Sequence, residues 1–232
     1  MGNVILVTSS KNDIGQTIIG IKTGIELSKK DKKVLLVDLS CGKRKISDYF
    51  NESEDIIYDV KDVMDDICSA QQATISINEN LYIIPYPRMT NKLRDIKKEG
   101  YEKLINEINN AYDVVIIDID SLSQGFYINF EDIYGVFIVD NNDYSSIKNI
   151  NSAYEIAKKF GVERIKVIIN KYNKKGASKG TMLDIKDFNK MLTTPITSII
   201  EENNKYMNIN LEFINNDEKN SLNYAIENLL KP

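Results

Sequence analysis

At 232 residues the chain has the length of one large α/β domain, expected to span 1–232, and a hydrophobic fraction of 42% is ample for its core. A formal net charge of −4 and a pI near 5.1 argue against a chain-wide nucleic-acid footprint, and two cysteines with no histidine argue against a metal site. No signal peptide and no apolar run long enough to span a bilayer is legible, so a cytoplasmic location is expected.

The chain opens on a short apolar run, Val4 to Val7, closed by Thr8, Ser9 and Ser10 before Gly15 starts a helical pattern. Ile14, Ile18, Ile21 and Ile25 recur at helical spacing, which predicts one stripe lying back on a sheet. A strand, a tight turn and a helix start aim free backbone N–H groups and the positive end of a helix dipole at one point, which suits an anion. Charged residues Lys29 to Lys33 then make a turn, and Val34 to Val37 form a second buried strand ending at Asp38. This spacing gives a parallel βαβ unit. A carboxylate at the end of that strand falls beside the first turn, where it can hold magnesium's water shell or a reacting water.

Ile56 to Ile67 carries Val60, Val63, Met64 and Ile67 on one helical face, and Leu81 to Ile84 is a third strand stopped by Pro85 and Pro87. Tyr101 to Ile108 is predicted helical. Val114 to Ile117 then closes on Asp118, with Asp120 two residues on, the Walker B pattern in which a carboxylate orients magnesium through water. Strand Val136 to Val139, helix Ser146 to Phe160 and strand Ile165 to Ile169, ending at Asn170, continue the alternation. Helix Asp184 to Leu192, segment Ile196 to Ile200 and helix Ser221 to Leu230 complete it. The fold class expected is α/β, a doubly wound, mostly parallel sheet with helices on both faces, like that of P-loop NTPases. Lys171, Lys174, Lys175 and Lys179 form one basic cluster, read as a solvated loop, and no specific nucleic-acid partner is expected.

The first turn departs from the spelling of a working phosphate loop. In the variant with an extra early lysine such a loop reads K-G-G-x-G-K-T, whereas here it is Lys11, Asn12, Asp13, Ile14, Gly15, Gln16, Thr17. Lys11, Gly15 and Thr17 match. Two glycines that permit close backbone approach do not, and Gln16 offers a neutral amide where a lysine would place a charge on the phosphates. Asp13 adds a negative charge beside a negative ligand. A charge pair about 4 Å apart is worth roughly 4 kcal/mol at an effective dielectric near 20, so these changes weaken nucleotide binding by several orders of magnitude.

With both aspartate strands placed, the chain resembles the MinD/ParA family of deviant Walker A ATPases, its MinD branch in particular, over nearly its whole length. IIYDVKDVMDD, NLYIIPYP, YDVVIIDID and NKYNKKGASKGTMLDIKDFNKML follow in the family's order and spacing. The resemblance implies that Lys11 is the signature lysine reaching across a dimer to the partner's nucleotide. By the same resemblance Thr17 is the magnesium-coordinating hydroxyl, Asp118 the Walker B carboxylate, Asn170 the adenine contact and Asp38 the first acid of a D-x-D pair. Read from the residues alone, Thr17 also suits a local cap, Lys11 a solvated loop and Asn170 an inherited scaffold position. The family's second acid is Ser40 here, Asp120 replaces a proline, and Glu201 stands where proline is frequent. Departures therefore fall on phosphate binding and water activation, while the packing segments match.

The reading this favours is a MinD-like cytoplasmic scaffold or adaptor in spatial positioning, at a division site, a flagellum or pilus, or in partition. It has no catalytic residue and binds ATP and magnesium weakly or not at all. Lys11, Gly15, Gln16, Thr17, Asp38, Asp118 and Asn170 form the remnant nucleotide site, and Thr17 and Asp118 are the magnesium ligands only if nucleotide binds. The rival readings are an active ATPase in which Lys11 or Lys43 substitutes for the missing lysine, and a switch that binds without hydrolysis. A protein partner is expected, as is a homodimer, if one forms, that does not depend on ATP. The stripe of Leu222, Ala225, Ile226, Leu229 and Leu230 reads as core rather than as a lipid-binding face, so membrane contact is expected to be weak or absent.

Overall fold

The computed structural model describes residues 3–54, 56–88, 97–122, 133–202, 214 and 221–231. Eight strands form one sheet among these residues: β1 (Asn3–Thr8), β2 (Val34–Leu39), β3 (Ile75–Ser76), β4 (Leu81–Ile84), β5 (Val114–Ile119), β6 (Ile133–Asp140), β7 (Arg164–Tyr172) and β8 (Ile196–Glu201). Their order is β3-β4-β2-β5-β1-β6-β7-β8. Every pairing is parallel except that of the two-residue β3 with β4.

Strand alternation sends side chains to two cores. In β1, Val4 and Leu6 face one layer and Ile5 and Val7 the other. The first layer is covered by α3 (Val60–Met64), α5 (Lys98–Ile108), α6 (Tyr144–Lys159) and α8 (Ile185–Lys190). The second is covered by α1 (Gln16–Ser28), α2 (Ile46–Phe50) and α9 (Ser221–Leu229). Helices on both faces make the sheet doubly wound, as the alternation of strand and helix patterns predicts. Two short helices complete the description, α4 (Ala70–Ala73) and α7 (Lys174–Ser178). Each fully buried Val, Leu or Ile contributes roughly 1.5–3 kcal/mol by leaving water, so the central strands are the most strongly held part of the molecule.

Sheet order positions the site. From β1 the sheet extends through β5 and β2 on one side and through β6 and β7 on the other, and the chain crosses from one side of β1 to the other between β5 and β6, so the order reverses at β1. Open α/β sheets bind ligands beyond the carboxyl ends of the strands at such a reversal. The carboxyl ends of β1, β2 and β5 bring Thr8, Asp38 and Asp118 side by side, with Asp38 and Asp118 in direct register.

Two expectations need correction. Ile67 is not on the face of the third helix: α3 stops at its cap Asp65, Asp66 takes a left-handed turn at φ 64°, and Ile67 is 63% exposed. In α1 the fully buried residues include Ile19 and Ile21, whereas Ile18 is half-buried. The helix is enclosed by the sheet on one side and touched by α9 on another, so its apolar stripe is wider than the sequence pattern. The stripe of α9 is core: Leu222, Ala225, Ile226 and Leu229 are buried in the second layer.

Close packing of α3 on α5 depends on Gly100, where a Cβ would lie 2.7 Å from the Met64 carbonyl oxygen. Because that oxygen belongs to the backbone it cannot rotate away. Gly100→Ala is expected to destabilise the fold by about 1–3 kcal/mol despite alanine's better helix propensity, as read by urea denaturation.

Candidate functional site

β1 runs into the loop Ser9–Gly15, which enters α1 with no side-chain cap. The loop's shape needs two left-handed residues, Gly15 at φ 90° and Asp13 at φ 59°. Glycine meets that demand freely; aspartate does so under some strain. Among the described residues the backbone N–H groups of Asn12 to Thr17 meet no protein acceptor. They stand at the positive end of a 13-residue helix, the arrangement that binds anions. A cavity of about 530 Å³ lies over the loop, lined in part by Gly15, Gln16, Thr17, Asp120 and Asn170 and by the cations Lys11, Lys43, Arg44 and Lys171.

The side chains at the start of α1 are engaged within the protein. Gln16 is buried, and its Nε2 donates to Asp118 Oδ1 at 2.8 Å and to the Ile119 carbonyl at 2.7 Å. Both amide hydrogens are thereby engaged in the floor of the site. Thr17 Oγ1 donates to the other Asp118 oxygen at 2.5 Å. Asp38 accepts backbone N–H groups from Ser40 at 3.2 Å and from Ile46 at 2.8 Å, so it orders the turn into α2. Burial, then the neighbouring Asp38 charge, pushes Asp118 up to about 8, against the lowering effect of Thr17 and Gln16. Burial likewise pushes Asp38 up to about 6, although the Ile46 amide and the Lys45 charge oppose it. The pair shares its protons across the neutral range, where isolated carboxylates would both be ionised.

Lys11 is half-buried and turned toward the start of α6. Its Nζ lies 2.6 Å from both Asp143 oxygens, 2.6 Å from Ser146 Oγ, 3.0 Å from Asn141 Oδ1 and 3.3 Å from Asp140 Oδ1. Lys11 and the Ser145 and Ser146 donors hold Asp143 far below the usual carboxylate range, although its partial burial opposes them. The other cations around the cavity also have partners. Lys43, 87% exposed, pairs with the Asp13 carboxylate at 3.2 Å, Lys171 donates to the Asp13 carbonyl, and Arg44 stacks over Tyr49 at 3.9 Å. Asn170 donates from Nδ2 to the Ile14 carbonyl at 2.6 Å.

The structure brings the buried Gln16, Asp38 and Asp118 together with the half-buried Thr17 in one cluster and places Gly15 and Asn170 against each other above it. Lys11 stands apart, on the β6–α6 junction. Sequence reasoning missed that junction, although Asp143 followed three residues later by Ser146 at a helix start is an N-cap pattern. It also missed a coupling between two departures. Ser40 Oγ donates to Asp120 Oδ1 at 3.1 Å, and the Cys41 N–H lies 3.1 Å from Asp120 Oδ2. The acid absent at position 40 therefore has a carboxylate beside it, supplied from the next strand. Position 16 thus carries a neutral amide turned to the floor, and the positive charges lining the cavity come from Lys11, Lys43, Arg44 and Lys171.

The reversal at β1, the strand-loop-helix unit and the paired aspartates define a protein with the P-loop NTPase fold. Comparison with known proteins narrows the class. No family model matches the chain. It is 28% identical over 207 residues to the septum site-determining protein MinD of Thermotoga maritima, covering 87% of this chain and 76% of that protein. It is 23% identical to MinD of Bacillus subtilis, covering 100% of this chain and 88% of that one. Among solved structures it superposes on a chain of the MinC:MinD cell division protein complex of Aquifex aeolicus with a TM-score of 0.80 at 27% identity, covering 98% of this chain and 93% of that one. MinD of Pyrococcus horikoshii, solved with Mg-ADP, shares the fold at a TM-score of 0.77 and 18% identity, with 99% of this chain and 94% of that one covered. In sequence and in fold the chain is thus similar, over most of its length, to MinD proteins.

Proposed function

We propose that this chain is a MinD-like scaffold or adaptor in spatial positioning that holds Mg-ATP weakly or not at all and does not hydrolyse it. The observation that carries the reading is Gln16: its amide hydrogens bond Asp118 and the Ile119 carbonyl, so position 16 presents no charge to the cavity. Lys11, on its five oxygen contacts, supports the same conclusion, since a lysine held within its own chain is not available to a second one. The protein acts in the cytoplasm through a protein partner, with little membrane contact of its own, and any homodimer forms through direct contacts.

The four cations lining the cavity favour a second reading, a switch that binds nucleotide without turnover or with slow turnover. Titration of Mg-ATP by calorimetry, beside light scattering with and without nucleotide, separates the two. Under the scaffold reading no saturable heat appears below about 1 mM, an affinity of about 4 kcal/mol, and the mass does not change. Micromolar binding, turnover abolished by Lys11→Ala or Lys43→Ala, or an ATP-driven doubling of mass would establish the switch instead.

A further inference from the structure

The end of β7 carries a feature that phosphate binding does not require. The register of β7 against β8 shifts between Ile169 and Tyr172, and within that irregularity Lys171 adopts a left-handed backbone at φ 53°. A lysine in that conformation is strained, and strain of this kind persists only where surrounding contacts determine it. Bulges re-aim side chains, and here two successive ones turn on two successive loop carbonyls. Asn170 Nδ2 reaches the Ile14 carbonyl at 2.6 Å and Lys171 Nζ reaches the Asp13 carbonyl. Gly15 fits the approach closely: a Cβ there would lie 2.7 Å from Asn170 Nδ2.

In a trans peptide the carbonyl of one residue and the N–H of the next point in opposite directions. Drawing the Asp13 and Ile14 carbonyls toward the bulge therefore fixes the N–H groups of Ile14 and Gly15 on the other side. We propose that the Asn170–Lys171 bulge is a built-in clamp that holds the loop in its anion-receiving shape with no ligand present. The clamp rests on the scaffold reading only for its purpose, a site face kept in order without nucleotide; its existence is tested separately.

Asn12 and Asp13 are both exposed, so a protease that cuts before aspartate reports how readily the loop extends. The full-length protein without nucleotide is digested with endoproteinase Asp-N and mapped by mass spectrometry. Cleavage before Asp13 is expected to be at least about tenfold faster in Asn170→Ala with Lys171→Gly than in wild type. Cleavage before the buried Asp118 reports global unfolding and is expected to stay as slow as in wild type. Lys43→Ala, which removes the ion pair but neither carbonyl bond, is expected to leave the rate within about twofold. If the double variant loses the whole fold, Lys171→Gly alone decides the matter, because glycine suits φ 53° and only the lysine contact is lost. Equal rates before Asp13 in wild type and a folded variant would overturn the clamp. Saturable protection of the double variant's loop by micromolar Mg-ATP would overturn the scaffold reading while leaving the clamp intact, because the clamp is read from the ligand-free rates alone.

Discussion

Asn12→Gly, Asp13→Gly and Gln16→Lys made together are expected to turn a protein without saturable Mg-ATP binding below about 1 mM into one that binds at micromolar concentration, a gain of about 4 kcal/mol. Two of the changes act on contacts seen in the structure, those of Asp13 with Lys43 and of Gln16 with Asp118. Asp13→Gly relieves a left-handed aspartate at φ 59° and frees Lys43 from its ion pair. Gln16→Lys places an ammonium in the floor beside Asp118, where it also draws that carboxyl back toward ionisation. Asn12→Gly, at an exposed position, restores close backbone approach. Hydrolysis is expected to stay negligible in the triple variant. Adding Ser40→Asp alone is expected not to restore it, because the new carboxylate would meet Asp120, now 3.1 Å from Ser40 Oγ, and two carboxylates at that distance cannot both ionise. Turnover is expected only when Asp120 is neutralised as well, as Asp120→Asn. Tight binding by the unaltered protein, or a folded triple variant that still fails in calorimetry, would show that the charge at position 16 is not the deciding one.

The second large effect is on stability. A carboxyl whose pKa is higher in the folded state than in the unfolded chain favours folding fully below its unfolded value near 4, and that contribution disappears as the pH rises through its folded value. For Asp118 the folded value is about 8. The wild-type protein is therefore expected to lose several kcal/mol, on the order of 3, relative to Asp118→Asn as the pH is raised from 4.5 to 8 in magnesium-free buffer. The two proteins should be close in stability at the acid end, with the variant more stable at the alkaline end. Urea denaturation across that range reads the difference directly. A gap that does not change with pH would mean that the Asp38–Asp118 pair is ionised throughout and held by other charges.

The long elements were legible because their side chains repeat over several periods. The Ile105 and Leu104 face of α5 and the run into Asp118 on β5 are examples, both buried where the pattern places them. Elements shorter than a period were not. α4 is a four-residue turn made by the Ser69 and Gln72 capping box, β3 is two residues, and neither leaves a periodic trace. In the site, residue identities revealed the changed charges at Asp13 and Gln16 but not where the replacements point. Gln16 could have faced the cavity or the floor, and its rotamer is set by Asp118 and Ile119, a hundred residues away. The Ser40–Asp120 contact was closer to reach. Asp38 and Asp118 are register partners on parallel strands, so the residues two beyond each are also brought together. The departures at positions 40 and 120 are separate in the sequence and in contact in the structure. Lys11's partners lay beyond sequence reasoning because a solvated lysine and a cradled one are spelled alike.

The irregular end of β7 also bears on solubility. Among the described residues β8 closes the sheet on that side, and a long, straight, apolar edge strand invites a second molecule to add to it. β8 follows β7 through two register shifts, one near Val167 and one beyond Ile169, so the ladder it offers is bent rather than flat. The same backbone kink that turns Asn170 and Lys171 toward the loop thus makes the sheet's last strand a poor template for edge-to-edge association at high protein concentration.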